Sequence, residues 1–120
     1  MNCKTLVLAT GLVALASAAF AQGQTFNIRL EKSPKNPTTC MGPDATMSRV
    51  QTVTVEGDVA VLKSNGGIND KAKVVSPGVY RTRWSLSGIN FDIEFNNSAA
   101  PATLTVSEKQ FGCSWSGTAG

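Results

Sequence analysis

Two carboxylates, Asp92 and Glu94, have a spacing that acid–base catalysis could use. They are two residues apart in an alternating apolar and polar segment, so on a β-strand both side chains lie on one face, about 7 Å apart. Glycoside hydrolases use carboxylate pairs at separations of this order, with the pKa of one carboxyl group raised. In the hairpin that this segment is predicted to form, Arg81 and Arg83 lie opposite the carboxylates and favour the ionised form of both. We therefore expect structural ion pairs, Arg83 with Asp92 and Arg81 with Glu94.

Histidine is missing from the sequence, which removes most other catalytic chemistry. Imidazole is the usual general base, the partner of Ser and Cys nucleophiles and the commonest transition-metal ligand. The chain has 120 residues, 42% hydrophobic and 16% charged, with a net charge of +3. This composition predicts one small packed domain, and the charge is too small to indicate a nucleic-acid partner. We expect a protein that is not an enzyme and has no cofactor.

The first 21 residues have the pattern of a secretory signal peptide. Lys4 stands in a short polar start, an apolar run follows, and small residues end in Ala19-Phe20-Ala21. The ending is an A-x-A cleavage site, and the apolar run is shorter than the roughly 20 residues that a transmembrane helix needs. We predict cleavage after Ala21, a single domain over residues 22–120 that does not span a membrane, and a periplasmic or extracellular location.

Cleavage at this point would remove Cys3 and leave two cysteines in the mature chain, Cys40 and Cys113. A matched pair in an exported chain predicts a disulfide. Closing so long a loop stabilises a fold by roughly 4 kcal/mol in the chain-entropy description.

Two weaker patterns could hold a metal ion. Cys40 with Met41 and Met47 supplies soft sulfur ligands for copper, but a cysteine in a disulfide offers no thiolate. Asn69 and Asp70, in the stretch SNGGIND, supply oxygen ligands for Ca²⁺, but one carboxylate is too few for a good site. We therefore predict no metal site, and a turn in this Gly-rich stretch.

After the predicted leader, apolar and polar residues alternate with a period of two between clusters of Gly, Pro, Asn and Ser. This alternation predicts β-strands, about seven or eight in all. The last strand is expected to place Phe111, Cys113 and Trp115 on one buried face. The other predicted strands are residues 25–31, 49–55, 59–63, 71–75, 79–86, 89–96 and 102–107.

The register of one hairpin follows from residues 79–96. With Ser87 and Gly88 as a two-residue turn, Trp84 faces Phe91 on the apolar side of the hairpin. On the other side the same register places each arginine opposite a carboxylate, so that both cross-strand pairs join a positive and a negative side chain. A shift of one residue would place aromatic residues against charges.

The strand count and the separated cysteines favour an all-β fold, a small antiparallel sandwich that is immunoglobulin-like in general architecture, with a small β-barrel as the alternative. The sequence departs from the immunoglobulin pattern at two points. Trp84 lies far beyond Cys40, whereas the immunoglobulin tryptophan follows the first cysteine closely, and Phe111 has no hydroxyl for the tyrosine corner. Alternation identifies the buried face of each strand but does not separate the two arrangements.

The long segment 32–48 is the leading candidate for a binding surface. Three prolines and one glycine predict an irregular loop, and loops of this length in small domains are often functional. A disulfide at Cys40 would fix it to the core, and an ordinary crossover connection is the alternative. Its candidate binding residues are Lys32, Lys35, Met41, Asp44 and Met47.

These patterns predict an exported, non-enzymatic binding domain whose partner is a protein or another envelope component. A rigid loop would also suit a secreted inhibitor of a hydrolase, such as a protease or a lysozyme. An unpaired sheet edge would instead indicate an envelope or fimbrial structural subunit.

Overall fold

Nine β-strands and a short helical segment make up residues 22–119, which this computed structural model describes. The predicted leader, residues 1–21, lies outside the described residues. No helix within residues 22–119 is long and apolar enough to cross a membrane. The helical segment comprises a 3-10 helix, Thr38–Cys40, and one α-helix, α1, Met41–Met47. The strands are β1 (Gln22–Arg29), β2 (Glu31–Lys32), β3 (Val50–Glu56), β4 (Val59–Lys63), β5 (Asp70–Ser76), β6 (Val79–Leu86), β7 (Ile89–Asn96), β8 (Thr103–Glu108) and β9 (Cys113–Thr118).

The strands form one antiparallel sheet that nearly closes on itself. From β3 to β9, neighbours in the sheet are neighbours in sequence, while β1 pairs with β3 and β2 pairs with β9. Only Leu30 separates β1 from β2, so one passage of the chain joins both ends of the sheet. A further bridge connects Ile28 with Ala119. The all-β prediction is confirmed, and the arrangement is the small barrel, with β1 and β2 acting as one of eight strands.

The barrel interior is filled by side chains. The largest fully buried side chains include Trp115, Phe91 and Phe95. The ring of Phe91 lies between Trp84 and Trp115, at centroid distances of 6.2 Å and 6.1 Å. A barrel of this strand number is narrow enough for side chains to fill it. The interior is therefore a core, and the surfaces available for binding are on the outside.

The predicted hairpin is confirmed in its full register. β6 and β7 pair along their whole length, with Trp84 opposite Phe91. Ser87 and Gly88 form the turn with φ angles of 53° and 80°, the left-handed region that a tight two-residue hairpin turn requires.

The predicted disulfide joins Cys40 to Cys113, with 5.8 Å between the Cα atoms, but the last strand begins later than expected. β9 starts at Cys113, and Phe111 lies in the preceding turn with 40% of its surface exposed. The prediction that Phe111 shares the buried face of Trp115 is therefore wrong. The Glu108 carboxylate accepts backbone N–H groups of the turn, including that of Phe111 at 2.9 Å, and this cap turns the chain before the strand begins.

The segment 32–48 contains helical structure where an irregular loop was expected. Its α-helix, α1, has only 7 residues, which is too short for a helical period to be visible in the sequence. Pro43 lies in the first turn of α1, where the missing N–H of proline costs nothing. At the end of α1, Met47 is fully buried, so α1 closes one end of the barrel with an apolar side chain.

Candidate functional site

Residues 32–48, named here the tethered segment, begin with the backbone pairing of Lys32 and Ser33 with β9 and are fixed to the same strand by three further side-chain contacts. The disulfide of Cys40 is the first. Asn36 provides the second, because its side-chain amide donates to the carbonyl of Ser114 at 3.0 Å and accepts the N–H of Ser114 at 2.9 Å. Asp44 provides the third, because its Oδ1 accepts the indole N–H of Trp115 at 2.9 Å. A segment held at three points is rigid, although much of its surface is exposed.

A depression of about 220 Å³ lies in this segment, and every residue that lines it belongs to the segment. Pro34, Pro37 and Met41 supply apolar surface, while Lys32 and Asp44 supply charges of opposite sign. Met41 is 72% exposed, the largest exposed fraction among the large apolar side chains of the described residues. An apolar hollow with a few charged groups is the ordinary composition of a binding site.

The Asp44 carboxylate is held in its ionised form. The indole N–H of Trp115 lowers the pKa of Asp44 most, and the hydroxyl of Ser48 lowers it further through a bond of 2.7 Å to Oδ1. Partial burial opposes these two effects without cancelling them, and the charge of Lys32 makes the smallest contribution to the lowering. A carboxyl group with a lowered pKa gives up its proton easily and is a poor general acid. Asp44 therefore positions α1 and contributes negative charge to the depression.

The five residues predicted as a binding surface have different positions. Lys32, Met41 and Asp44 line one depression, so the structure brings these three together. Lys35 is exposed in a neighbouring turn and does not line the depression, and Met47 lies in the core. The lining residues that sequence reasoning did not select are Ser33, Pro34, Asn36, Pro37, Thr38 and Cys40.

The tether at Asp44 was missed because nothing in the sequence links residues so far apart in the chain. Trp115 was expected in the core from its alternation with Cys113, and it is fully buried. A buried indole N–H needs an acceptor, and that requirement is the one signal in the sequence that could have indicated a partner for it.

The carboxylates Asp92 and Glu94 are paired as predicted. Nε of Arg81 lies 2.8 Å from Oε1 of Glu94, and Nε of Arg83 lies 3.0 Å from Oδ1 of Asp92. The four side chains line an open groove of about 680 Å³ on the outer wall formed by β6, β7 and β8, with Lys109 at its edge. Each carboxylate therefore has a guanidinium as its partner, and the arrangement is a pair of exposed cross-strand ion pairs.

The residues considered for Ca²⁺ serve the turn between β4 and β5. The amide of Asn69 donates to the carbonyl of Ser64 at 2.9 Å, and Asp70 accepts hydrogen bonds from Thr82 and from the N–H of Lys71. Among the described residues, no group of three or more Cys, Asp or Glu side chains is arranged to hold a metal ion.

Comparison with known protein families, curated proteins and solved structures found no match to this chain. The functional interpretation consequently depends on the geometry of its own surfaces.

Proposed function

We propose that this protein is an exported, non-enzymatic interaction domain that binds a protein or another envelope component through the tethered segment. The observation that carries the proposal is the exposure of Met41, 72%, at a depression whose walls are fixed to β9 at three points. A surface that is already ordered loses little conformational entropy on binding, and this increases affinity.

The exposed apolar surface around the disulfide supports the proposal that the partner is a protein. Met41 directly follows Cys40, and Phe111, 40% exposed, precedes Cys113 by two residues. The disulfide therefore brings two exposed apolar side chains to the same end of the barrel. Met and aromatic side chains are enriched in protein interfaces, and adjacent exposed apolar residues often mark such an interface.

The chemistry of the carboxylates supports a binding role over an enzymatic one. The chain has no histidine, Asp92 and Glu94 are paired with arginines, and the pKa of Asp44 is lowered. An enzyme of this composition would need, in a concave site, a carboxyl group whose pKa is raised or a lysine whose pKa is lowered. Export is supported by the disulfide, because such bonds persist in oxidising compartments.

A comparative pull-down tests the proposal. Immobilised wild-type protein and the Lys32→Glu/Lys35→Glu variant are incubated with an envelope extract, and bound proteins are quantified by mass spectrometry. The matched control is Lys71→Glu/Lys73→Glu, which makes the same charge change on the opposite wall. We expect a partner that the first variant and a separate Met41→Glu variant lose and the control retains. A partner retained by both segment variants would contradict the assignment of the surface.

The three-point attachment also favours a second candidate, a secreted inhibitor of a hydrolase. Inhibitors of this class insert a rigid, preformed segment into a cleft, and a segment that carries Pro34 and Pro37 beside a disulfide meets that requirement. Inhibition assays against a serine protease, a metalloprotease and a lysozyme test this role. Loss of inhibition in Met41→Glu would support it, and full activity of all three enzymes at micromolar protein would favour the first proposal. A fimbrial subunit is less favoured, because nearly every strand edge within residues 22–119 is paired.

A further inference from the structure

The Gly-rich turn between β4 and β5 contains a pair of residues that could react with each other. Asn65 is followed by Gly66, and no other asparagine in the sequence precedes a glycine. An asparagine side chain can be attacked by the backbone nitrogen of the next residue, and glycine leaves that nitrogen accessible because it has no Cβ atom. The turn is therefore a place where the chain could modify itself.

The side chain of Asn65 differs from every other asparagine side chain of residues 22–119. It is exposed and makes no hydrogen bond within this range, where only its backbone carbonyl has a partner. A bonded amide must break its contact before it can turn towards the backbone, whereas the amide of Asn65 has no such contact to break. The asparagines whose side chains are bonded are Asn27, Asn36, Asn69, Asn90, Asn96 and Asn97.

The backbone nitrogen of Gly66 is equally unoccupied. Its N–H has no acceptor among the described residues, because it lies in the turn outside both strand ladders. Gly66 has a φ angle of 80°, a left-handed conformation that glycine adopts without strain. The nitrogen that has to attack and the amide that it has to reach are therefore adjacent, and neither is held by another group of the described chain.

A cationic side chain lies against the same peptide group. Nη1 of Arg49 donates to the backbone carbonyl of Asn65 at 3.2 Å, and a Cβ atom placed on Gly66 would lie 3.3 Å from Cζ of Arg49. This carbonyl and the nitrogen of Gly66 share one resonant amide, so negative charge that develops on the nitrogen spreads to the carbonyl oxygen. A charged donor at that oxygen stabilises the developing charge, as the donors of an oxyanion hole do.

We propose that Asn65 deamidates in the folded protein and that Arg49 promotes the reaction. The nitrogen of Gly66 loses its proton to water and forms a bond to Cγ of Asn65, while the Cγ–Nδ2 bond breaks and Nδ2 leaves as ammonia after taking up a proton. The product is a succinimide ring. Water then opens the ring at Cγ to give aspartate, or at the backbone carbonyl carbon to give isoaspartate. Either product adds one negative charge to the chain.

The modified position is connected to α1 through the same arginine. Nε of Arg49 donates to the carbonyl of Ala45 at 2.8 Å, and Ala45 lies in α1. A carboxylate at position 65 would offer the guanidinium a charged acceptor, which is a stronger partner than a neutral carbonyl. Deamidation would therefore alter a contact that supports the end of the tethered segment. The reaction requires no partner, so this proposal goes beyond the proposed function and either can fail alone.

Incubation of the purified protein provides the first test. The folded protein is kept at neutral and at mildly alkaline pH, and peptide mapping by mass spectrometry quantifies the modification of each asparagine. We expect Asn65 to deamidate at least about tenfold faster than Asn97, which precedes serine, because glycine allows the closer attack. The rate should rise with pH, since the attacking nitrogen must lose its proton.

The products of this incubation distinguish the mechanisms. Aspartate and isoaspartate together at position 65 would support the succinimide, because only the ring gives both. Aspartate alone would indicate direct hydrolysis of the side chain and would overturn the proposed mechanism. An intact Asn65 after a period in which the urea-unfolded chain deamidates would show that the fold protects the turn, and would overturn the proposal. Asn65→Gln is the chemical control, because its longer side chain would have to form a larger ring, and we expect it to remain unmodified.

Variants of Arg49 test its role in the reaction. We expect Arg49→Gln to deamidate at least about threefold more slowly than the wild type when folded, Arg49→Lys to lie between them, and all three to react equally in urea. The matched control is Ser48→Ala, which removes the hydrogen bond to Asp44 at the end of α1 without touching the turn and should leave the rate unchanged. Equal folded rates of the wild type and Arg49→Gln, or an equal slowing in Ser48→Ala, would overturn the role of Arg49.

Hydrogen exchange tests the connection to α1. We expect the amides of residues 45–49 to change their exchange rates in the incubated protein and in the product variant Asn65→Asp, while the incubated Asn65→Gln protein retains the original rates. Identical exchange in all of these samples would show that deamidation does not reach the tethered segment and would overturn this part of the proposal.

Discussion

The indole N–H of Trp115 donates a hydrogen bond of 2.9 Å to Oδ1 of Asp44, and this contact connects the core of the barrel to its candidate binding surface. Trp115 is fully buried and packs against Phe91, whereas Asp44 lines the surface depression. The same carboxylate oxygen accepts the hydroxyl of Ser48, at the end of α1. A single side chain therefore determines the position of α1 and part of the charge of the surface.

Replacing Asp44 by alanine should lower the free energy of unfolding by about 1–3 kcal/mol, because a buried indole N–H loses its acceptor. The matched control is Asp58→Ala in the exposed turn between β3 and β4, which we expect to change stability by less than about 0.5 kcal/mol. Urea unfolding followed by tryptophan fluorescence measures both. Equal stability of the two variants would mean that the Trp115–Asp44 bond contributes nothing.

The stability difference between the wild type and Asp44→Asn should depend on pH in one direction. The pKa of Asp44 is lowered in the folded state relative to its ordinary value of 3.8. The ionised carboxylate therefore stabilises the fold fully at pH values well above 3.8, and this contribution is lost as the pH falls through the lower folded-state pKa. Unfolding of both proteins at a series of pH values should show a constant difference above that range and a shrinking one below it. A difference that disappears at higher pH would contradict the assigned direction.

Removing the disulfide should loosen the tethered segment more than the barrel. Cys40→Ala/Cys113→Ala is expected to lose about 2–5 kcal/mol of unfolding free energy, because the unfolded chain is no longer cross-linked. Under native conditions, hydrogen exchange should accelerate in residues 38–47 while the hairpin of β6 and β7 retains its protection. Uniform acceleration in both regions would show that the disulfide holds the whole barrel rather than the segment.

Gly117 should be required for the approach of β9 to the first strand. A Cβ atom at this position would overlap the backbone oxygen of Arg29 and contact Ile28, and backbone cannot move aside as a flexible side chain can. Gly117→Ala is expected to cost more than about 2 kcal/mol. Gly42→Ala is the control, because a Cβ at Gly42 meets nothing within 4 Å and alanine favours the helix. A tolerated Gly117→Ala, measured by thermal unfolding, would mean that the barrel closes less tightly.

A double-mutant cycle on Arg83 and Asp92 should give a coupling of about 0.2–1 kcal/mol, as expected for an exposed cross-strand ion pair. The comparison cycle combines Arg83 with Glu94, which lies opposite Arg81, and should give a coupling close to zero. The first coupling should decrease at high salt because exposed charges are screened. Equal couplings in both cycles would indicate a general charge effect without a specific pair.

Local patterns were sufficient to predict the hairpin of β6 and β7. Ser87-Gly88 fixes the turn, and the two faces of the hairpin agree on a single register. The ion pairs of Arg81 and Arg83 follow directly from that register. These features depend on residues close together in the chain, so alternation and turn chemistry contain the necessary information.

The candidate site was predicted only in part. The sequence identified the segment and its disulfide, but α1 is too short to show a helical period, and the inward position of Met47 depends on α1. Phe111 was expected inside because alternation was extended through a turn that Glu108 caps. In each case a local interaction outside the strand pattern changed the direction of a side chain.

The sequence by itself determined which residues of most strands face the core, the register of one hairpin, the pairing of Cys40 with Cys113 and the neutralisation of Asp92 and Glu94. Only the tertiary structure decided that β2 pairs with β9, so that the sheet nearly closes into a barrel. The physical reason is that the alternation of apolar and polar residues specifies which face of a strand is buried but not which other strand pairs with it. Closure depends on backbone hydrogen bonds between strands from opposite ends of the chain, and these become favourable only when the whole core has assembled.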